Sequence, residues 1–212
     1  MIDNMEIFEL NPIVAYKNKI NYKLTEEKEK FLDGLELNLE NKRLSNRRDI
    51  LETDVFKDLK QMILSHIKRY EKNVCGWGDE VSLKITESWY SMTKPGRDHD
   101  RHHHPNSMLS GVYYFTVPGG DENTDHQGLL LESSYDIFKN FCFEHLPQNH
   151  NKYNTRETFI PLSSGDLLLF PSWMFHSVKE NKSNSSRKVL AFNTFISGNI
   201  TCSNDYPTNL FL

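Results

Sequence analysis

The chain has 212 residues, a formal net charge of −4 and a pI near 6.1, which gives no bulk electrostatic reason to bind nucleic acid. Its length fits one domain that buries about 70% of its unfolded surface, and its three scattered cysteines, Cys75, Cys142 and Cys202, match neither a disulfide framework nor a zinc motif, pointing to a reduced, cytoplasmic protein. The start, Met1 to Glu6, lacks the basic and apolar runs of a signal peptide, and no apolar stretch reaches membrane-spanning length.

After a short extended start over residues 7–14, the first third is rich in Glu, Lys, Asn and Leu and reads as helical. Val55, Phe56, Leu59, Met62, Ile63, Ile67 and Tyr70 recur at three- and four-residue spacing, which predicts a helix from about Thr53 to Tyr70, capped by Thr53 or Asp54, with its apolar stripe laid on a sheet. The basic run from Lys42-Arg43 to Arg47-Arg48 sits among acidic residues and reads as solvated surface. Beyond Gly76-Trp77-Gly78 the period becomes two: Val81, Leu83 and Ile85 share one strand face, and Trp89 and Tyr90 close the strand. Further strands are expected at Met108 to Thr116, Thr158 to Pro161, Asp166 to Phe170, Met174 to Val178 and Lys188 to Ile196. Gly, Pro, Ser and Asn turns separate them. Residues 122–157, polar and carrying His126, His145 and His150, read as a long insertion of the kind that is either a lid or partly disordered. The pattern predicts a single domain over 1–212, mainly β. Residues 1–80 give helical support and 81–212 a jelly-roll core.

The chemistry concentrates in Asp100-Arg101-His102-His103-His104-Pro105. In an extended strand His102 and His104 point one way and His103 the other. The apolar strand that follows them fixes the backbone. A second strand, Gly165 to Trp173, stops at Pro171 and delivers His176, and Arg187 lies eleven positions later. A hairpin across Asn181 to Ser186 would bring that guanidinium back beside His176. Three facial ligands with open positions suit an oxygen-activating iron, although a carboxylate is the commoner third ligand. Arginine's planar fork suits a carboxylate clamp.

His102-His103-His104-Pro105-Asn106-Ser107-Met108-Leu109-Ser110-Gly111-Val112-Tyr113-Tyr114, then Phe170-Pro171-Ser172 with His176, then Arg187 with Phe192-Asn193, resembles a group of iron(II) and 2-oxoglutarate-dependent oxygenases found in marine bacteria and phages. Prolyl hydroxylase-like enzymes offer a more distant comparison. The resemblance spans about residues 85–195 and implies a double-stranded β-helix of the cupin-like kind. It implies Fe(II) held by His102, His104 and His176, with 2-oxoglutarate and O2 as co-substrates. Arg187 would be the carboxylate clamp and Tyr113 a hydroxyl donor, with Tyr90 and Asn193 as further co-substrate contacts. The implied reaction hydroxylates a C–H bond and releases succinate and CO2. His104 falls where an aspartate is usual, so the third ligand is His104, Asp100 or a water, with His104 favoured. Trp89, Tyr90, Tyr113, Tyr114 and Trp173 are candidates for a water-excluding lining, although Trp89 and Trp173 read better as core. The rivals are a three-histidine cupin-like enzyme that does not use 2-oxoglutarate and a metal-free binding module. A small molecule or a peptide is the expected substrate.

Overall fold

Two antiparallel sheets stack face to face, and helices cover the outer side of the larger one. The structure, a computed structural model, describes residues 8–9, 12–38, 44–119, 128–132, 151–152, 155–201 and 209–211. In chain order the strands are β1 (Tyr16–Lys19), β2 (Leu37–Asn38), β3 (Leu44–Ser45), β4 (Val81–Thr93), β5 (His99–His102) and β6 (Leu109–Thr116). They continue with β7 (Gly128–Glu132), β8 (Glu157–Pro161), β9 (Asp166–Pro171), β10 (His176–Val178), β11 (Arg187–Thr201) and β12 (Asn209–Phe211). The larger sheet runs β1-β9-β6-β11-β4-β3-β2 with β12 on β11, and the smaller runs β5-β10-β7-β8.

The sheets sandwich one apolar layer and the helices close a second. Along β9, Leu168 and Phe170 pack between the sheets while Leu167 and Leu169 pack toward the helices. A strand buried on both faces explains the unbroken Leu-Leu-Leu-Phe run. The helices are α1 (Glu26–Asp33) and α2 (Lys57–Tyr70). Thr25 caps α1, ahead of Glu26, Glu27 and Glu29 in its first turn, where carboxylates meet the positive end of the helix dipole. In α2, Leu59, Ile63, Ile67 and Tyr70 form the expected buried stripe.

Its start differs from expectation. Two 3₁₀ turns, Ile50–Glu52 and Asp54–Phe56, precede α2, and the Thr53 hydroxyl donates to the Ile50 carbonyl at 2.6 Å instead of capping the helix. Burial of Ile50 and Leu51, with the Leu51 amide donating to Ser88 Oγ at 2.8 Å, ties this segment down before the helix begins.

Two other expectations are corrected. The stretch 122–157 contains β7, whose Leu129 and Leu131 are core residues and whose backbone pairs with β8 and β10. Polar flanks had hidden this apolar run; most of the remaining stretch, with His126, His145 and His150, lies outside the described residues, as do Cys142, Cys202 and part of the extended start. The hairpin expected between the strands of His176 and Arg187 does not form: β10 pairs with β5 and β7, whereas β11 pairs with β4 and β6. Asn181 to Ser186 crosses from one sheet to the other.

A β-bulge sets the faces of β4. In its pairing with β11, Asn193 opposes Glu87 and Thr194 opposes Ile85, so Thr86 is an extra residue. Leu83 and Ile85 therefore pack with the helix-side core, while Glu87, Trp89, Ser91 and Thr93 turn to the opposite face, between the sheets.

Gly111 on β6 is required by close approach, since a Cβ there would sit 2.0 Å from Phe192 Cζ. Gly111→Ala should cost about 1–3 kcal/mol through displacement of that ring. Urea unfolding would measure it, and a midpoint equal to wild type would contradict this packing.

Candidate metal centre

Three imidazoles converge at the open end of the sandwich. His102 ends β5, directly opposite His176 at the start of β10, and His104 follows two residues later. Pro105 confines His104 to extended backbone, and the His104 amide donates to the Ser172 carbonyl at 3.0 Å. Asn106 then takes φ 57°, a left-handed turn that asparagine tolerates better than most residues.

The ligand atoms of His102, His104 and His176 lie within 4.8 Å of one another, and this is the one group of His, Cys, Asp or Glu among the described residues with that geometry. Each Nδ1 is already committed. That of His102 donates to the Asp100 carbonyl at 2.7 Å, that of His176 to the Met174 carbonyl at 3.0 Å, and that of His104 to Asn193 Oδ1 at 2.6 Å. With Nδ1 donating in each ring, Nε2 is the atom each imidazole would offer to a metal, and outer hydrogen bonds of this kind are how metal sites fix that tautomer. Burial, joined by the neighbouring imidazoles, pulls the His176 pKa down to about 3, and burial also lowers that of His104. Both are neutral near pH 7 and ready to coordinate. This donor set fits a divalent transition metal.

Asp100 does not join the cluster; it meets His102 through its backbone carbonyl. His103 is exposed and packs on Phe175, with ring centroids 4.6 Å apart.

The imidazoles open into a cavity of about 660 Å³ between the sheets, walled by Trp89, Ser91, Thr93, Val112, Tyr114 and Arg187 among others. Arg187 is 4% exposed and forms no ion pair with a carboxylate of the described residues. Burial lowers its pKa, an effect the adjacent Tyr114 opposes. Tyr114 is itself buried, which raises the pKa of its phenol against the pull of the Arg187 charge. Ser91 Oγ is buried with no hydrogen-bond partner among the described residues. A buried cation, a phenol and an unsatisfied hydroxyl on one wall make an anion-binding surface.

Of the other residues singled out from sequence, Asn193 is in the cavity, but its amide is engaged with His104 and, through Nδ2, with Glu87 at 2.7 Å. Tyr90 and Tyr113 are not there. Both are 2% exposed in the helix-side core, where Tyr113 stacks edge-on against Tyr22 and Phe115. Tyr114 replaces Tyr113 because neighbouring residues on a strand face opposite ways. Trp89 lines the cavity, with its ring centroid 5.6 Å from that of His104, whereas Trp173 is 49% exposed.

The structure adds residues to which the sequence assigned no role: Glu87, Ser91, Arg48 at the cavity wall, and a hydroxyl network. Ser172 Oγ lies 2.7 Å from Ser107 Oγ and 2.8 Å from Ser110 Oγ, and Ser110 donates to Asn193 Oδ1 at 2.8 Å. The network fastens the His104 turn to β6, β11 and the end of β9, three neighbouring strands of the larger sheet. Three serines recurring inside the histidine-bearing motifs were the available signal.

A double-stranded β-helix with three convergent imidazoles and a buried arginine in one cavity defines the class of non-heme metal oxygenases. The family model described as "Putative 2OG-Fe(II) oxygenase" matches residues 87–193, half of the chain, and the protein belongs to that family. No curated protein matches it significantly in sequence. Among solved structures, the Pseudomonas putida prolyl-4-hydroxylase superimposes with a TM-score of 0.51 at 14% identity, covering 85% of this chain and 92% of its own. HygX from Streptomyces hygroscopicus, solved with nickel, 2-oxoglutarate and hygromycin B bound, gives 0.53 at 14% identity, covering 86% and 82%. The α-ketoglutarate-dependent carbocyclase SnoK of nogalamycin biosynthesis gives 0.54 at 14% identity, covering 86% and 80%. At such identities these likenesses speak for the fold.

Proposed function

We propose that His102, His104 and His176 hold Fe(II), that Arg187 clamps the far carboxylate of 2-oxoglutarate, and that the enzyme hydroxylates a C–H bond of a small molecule or peptide. The observation that carries this assignment is a three-imidazole face sharing one cavity with a buried arginine that has no carboxylate partner among the described residues. When bound, iron and 2-oxoglutarate supply the oxidising chemistry with O2, yielding succinate and CO2.

The chain's own residues bind, orient and exclude. Arg187 offers two parallel N–H donors to a carboxylate, and Tyr114 and Ser91 can add O–H donors from adjoining strands. This pairing replaces Tyr113, Tyr90 and Asn193 as co-substrate contacts. Trp89, Val112 and Val189 form apolar wall between clamp and imidazoles and keep water from the co-substrate. The open side of the cavity, bounded by Arg48, Trp89 and Pro105, is where we place the substrate.

No helix among the described residues is long and apolar enough to cross a membrane. We take the chain to act in the cytoplasm, on the ground of its scattered cysteines. Its kinship with the marine bacterial and phage group rests on the histidine and serine motifs.

Incubation with Fe(II), O2 and labelled 2-oxoglutarate, alone and with pools of small molecules and peptides, tests the activity, because succinate forms only if the co-substrate is oxidatively decarboxylated. Metal-dependent succinate is expected, and none from metal-loaded protein would defeat the assignment.

The third ligand has its own test. His104→Asp should retain metal, since it recreates the commoner triad, and Asp100→Asn should change little. Inductively coupled plasma measurement of bound metal would reveal the opposite case, loss in Asp100→Asn and retention in His104→Ala.

A further inference from the structure

We propose that Glu87 is a positioning residue that supplies, through Asn193, the negative charge that a carboxylate ligand would have brought to the metal. The proposal rests on the three-imidazole assignment above. Glu87 Oε1 accepts from Asn193 Nδ2 at 2.7 Å, while Asn193 Oδ1 accepts from His104 Nδ1 at 2.6 Å and from Ser110 Oγ at 2.8 Å. Two donors on Oδ1 fix the amide's orientation and turn its NH₂ toward the carboxylate. The amide is thus polarised between an anion and an imidazole, which makes the His104 ring a stronger electron donor.

Charge explains why such a relay would be kept. A divalent ion with two imidazoles and a carboxylate carries +1, but with three neutral imidazoles it carries +2. Glu87 forms no ion pair with a lysine or arginine of the described residues, so its charge remains available to the centre. The relay runs to His104, the ligand that stands in the aspartate's place. It does not run to His102 or His176, whose Nδ1 atoms meet neutral backbone carbonyls.

The backbone supports the same conclusion. Without the bulge at Thr86, unbroken alternation would put Glu87 on the helix-side face with Leu83 and Ile85. The bulge sacrifices regular pairing to aim Glu87 at the cavity, and re-aiming a side chain is what bulges near functional sites do.

The test is the Co(II) dissociation constant of the full chain, by chelator competition, for wild type, E87Q and the double variant E87Q/N193D. Glutamine keeps an acceptor for Asn193 Nδ2 and removes only the charge. E87Q should bind Co(II) about tenfold or more weakly, with the melting temperature of the metal-free protein unchanged. E87Q/N193D returns the charge beside His104 with both hydrogen bonds possible, and should recover most of that loss. A purely structural Glu87 would leave E87Q within about twofold of wild type, and a loss that the double variant fails to recover would equally exclude charge as the cause; either result overturns the proposal. Wild-type protein that takes up no Co(II) would instead bring down the three-imidazole assignment, and this proposal with it.

Discussion

His176→Ala should abolish specific metal binding. His176 stands at the centre of the cluster, its ring centroid 4.2 Å from that of His102 and 5.0 Å from that of His104, and its removal leaves two ligands that cannot hold a labile divalent ion. The variant should still fold: the position begins a three-residue strand, and alanine keeps the backbone pairing of β10 with β5 and β7. Metal analysis after dialysis should find about one equivalent in wild type and essentially none in the variant, with matching circular dichroism. His103→Ala, which removes an exposed ring outside the cluster, is the control and should keep its metal. Full occupancy in His176→Ala would refute the assignment.

Arg187→Met should separate co-substrate binding from both metal binding and stability. Losing one partner of a buried charge pair costs about 3–5 kcal/mol, equivalent to two to three or more orders of magnitude in affinity for 2-oxoglutarate. The metal-free fold should respond in the other direction. A buried guanidinium without a carboxylate partner among the described residues is an electrostatic burden, and an apolar side chain of similar length relieves it. The variant should therefore melt no lower than wild type while calorimetry detects no 2-oxoglutarate binding. An unchanged dissociation constant would place the clamp elsewhere. A large fall in melting temperature would mean that Arg187 is structural.

Much of this was legible in the sequence because it depends on local periodicity. The apolar runs of β6 and β9 and the three-four stripe of α2 are each visible within one element, and the shared face of His102 and His104 follows from the geometry of one extended segment, to which β10 adds His176. What the sequence concealed depends on how elements meet. The bulge at Thr86 is a property of the β4–β11 ladder, and nothing in Lys84-Ile85-Thr86-Glu87-Ser88 marks it. Unbroken alternation therefore misplaces the face of Glu87. Tyr113 and Tyr114 are neighbours of the same type, so only the register of β6 decides which enters the cavity, and a one-residue slip exchanges them. Arg187 was found for a wrong reason: it reaches the cavity across the sandwich, on the other sheet from His176. Glu87 was invisible as part of the centre, because it touches the imidazole only through an amide supplied by a strand more than a hundred residues away.

The most direct measurement is an anaerobic crystal structure with Fe(II) and 2-oxoglutarate. It should show one ion bound by Nε2 of His102, His104 and His176, with the far carboxylate of 2-oxoglutarate on Arg187 and within reach of Ser91 and Tyr114. Iron bound to Asp100 in place of His104, or 2-oxoglutarate seated away from Arg187, would contradict this arrangement.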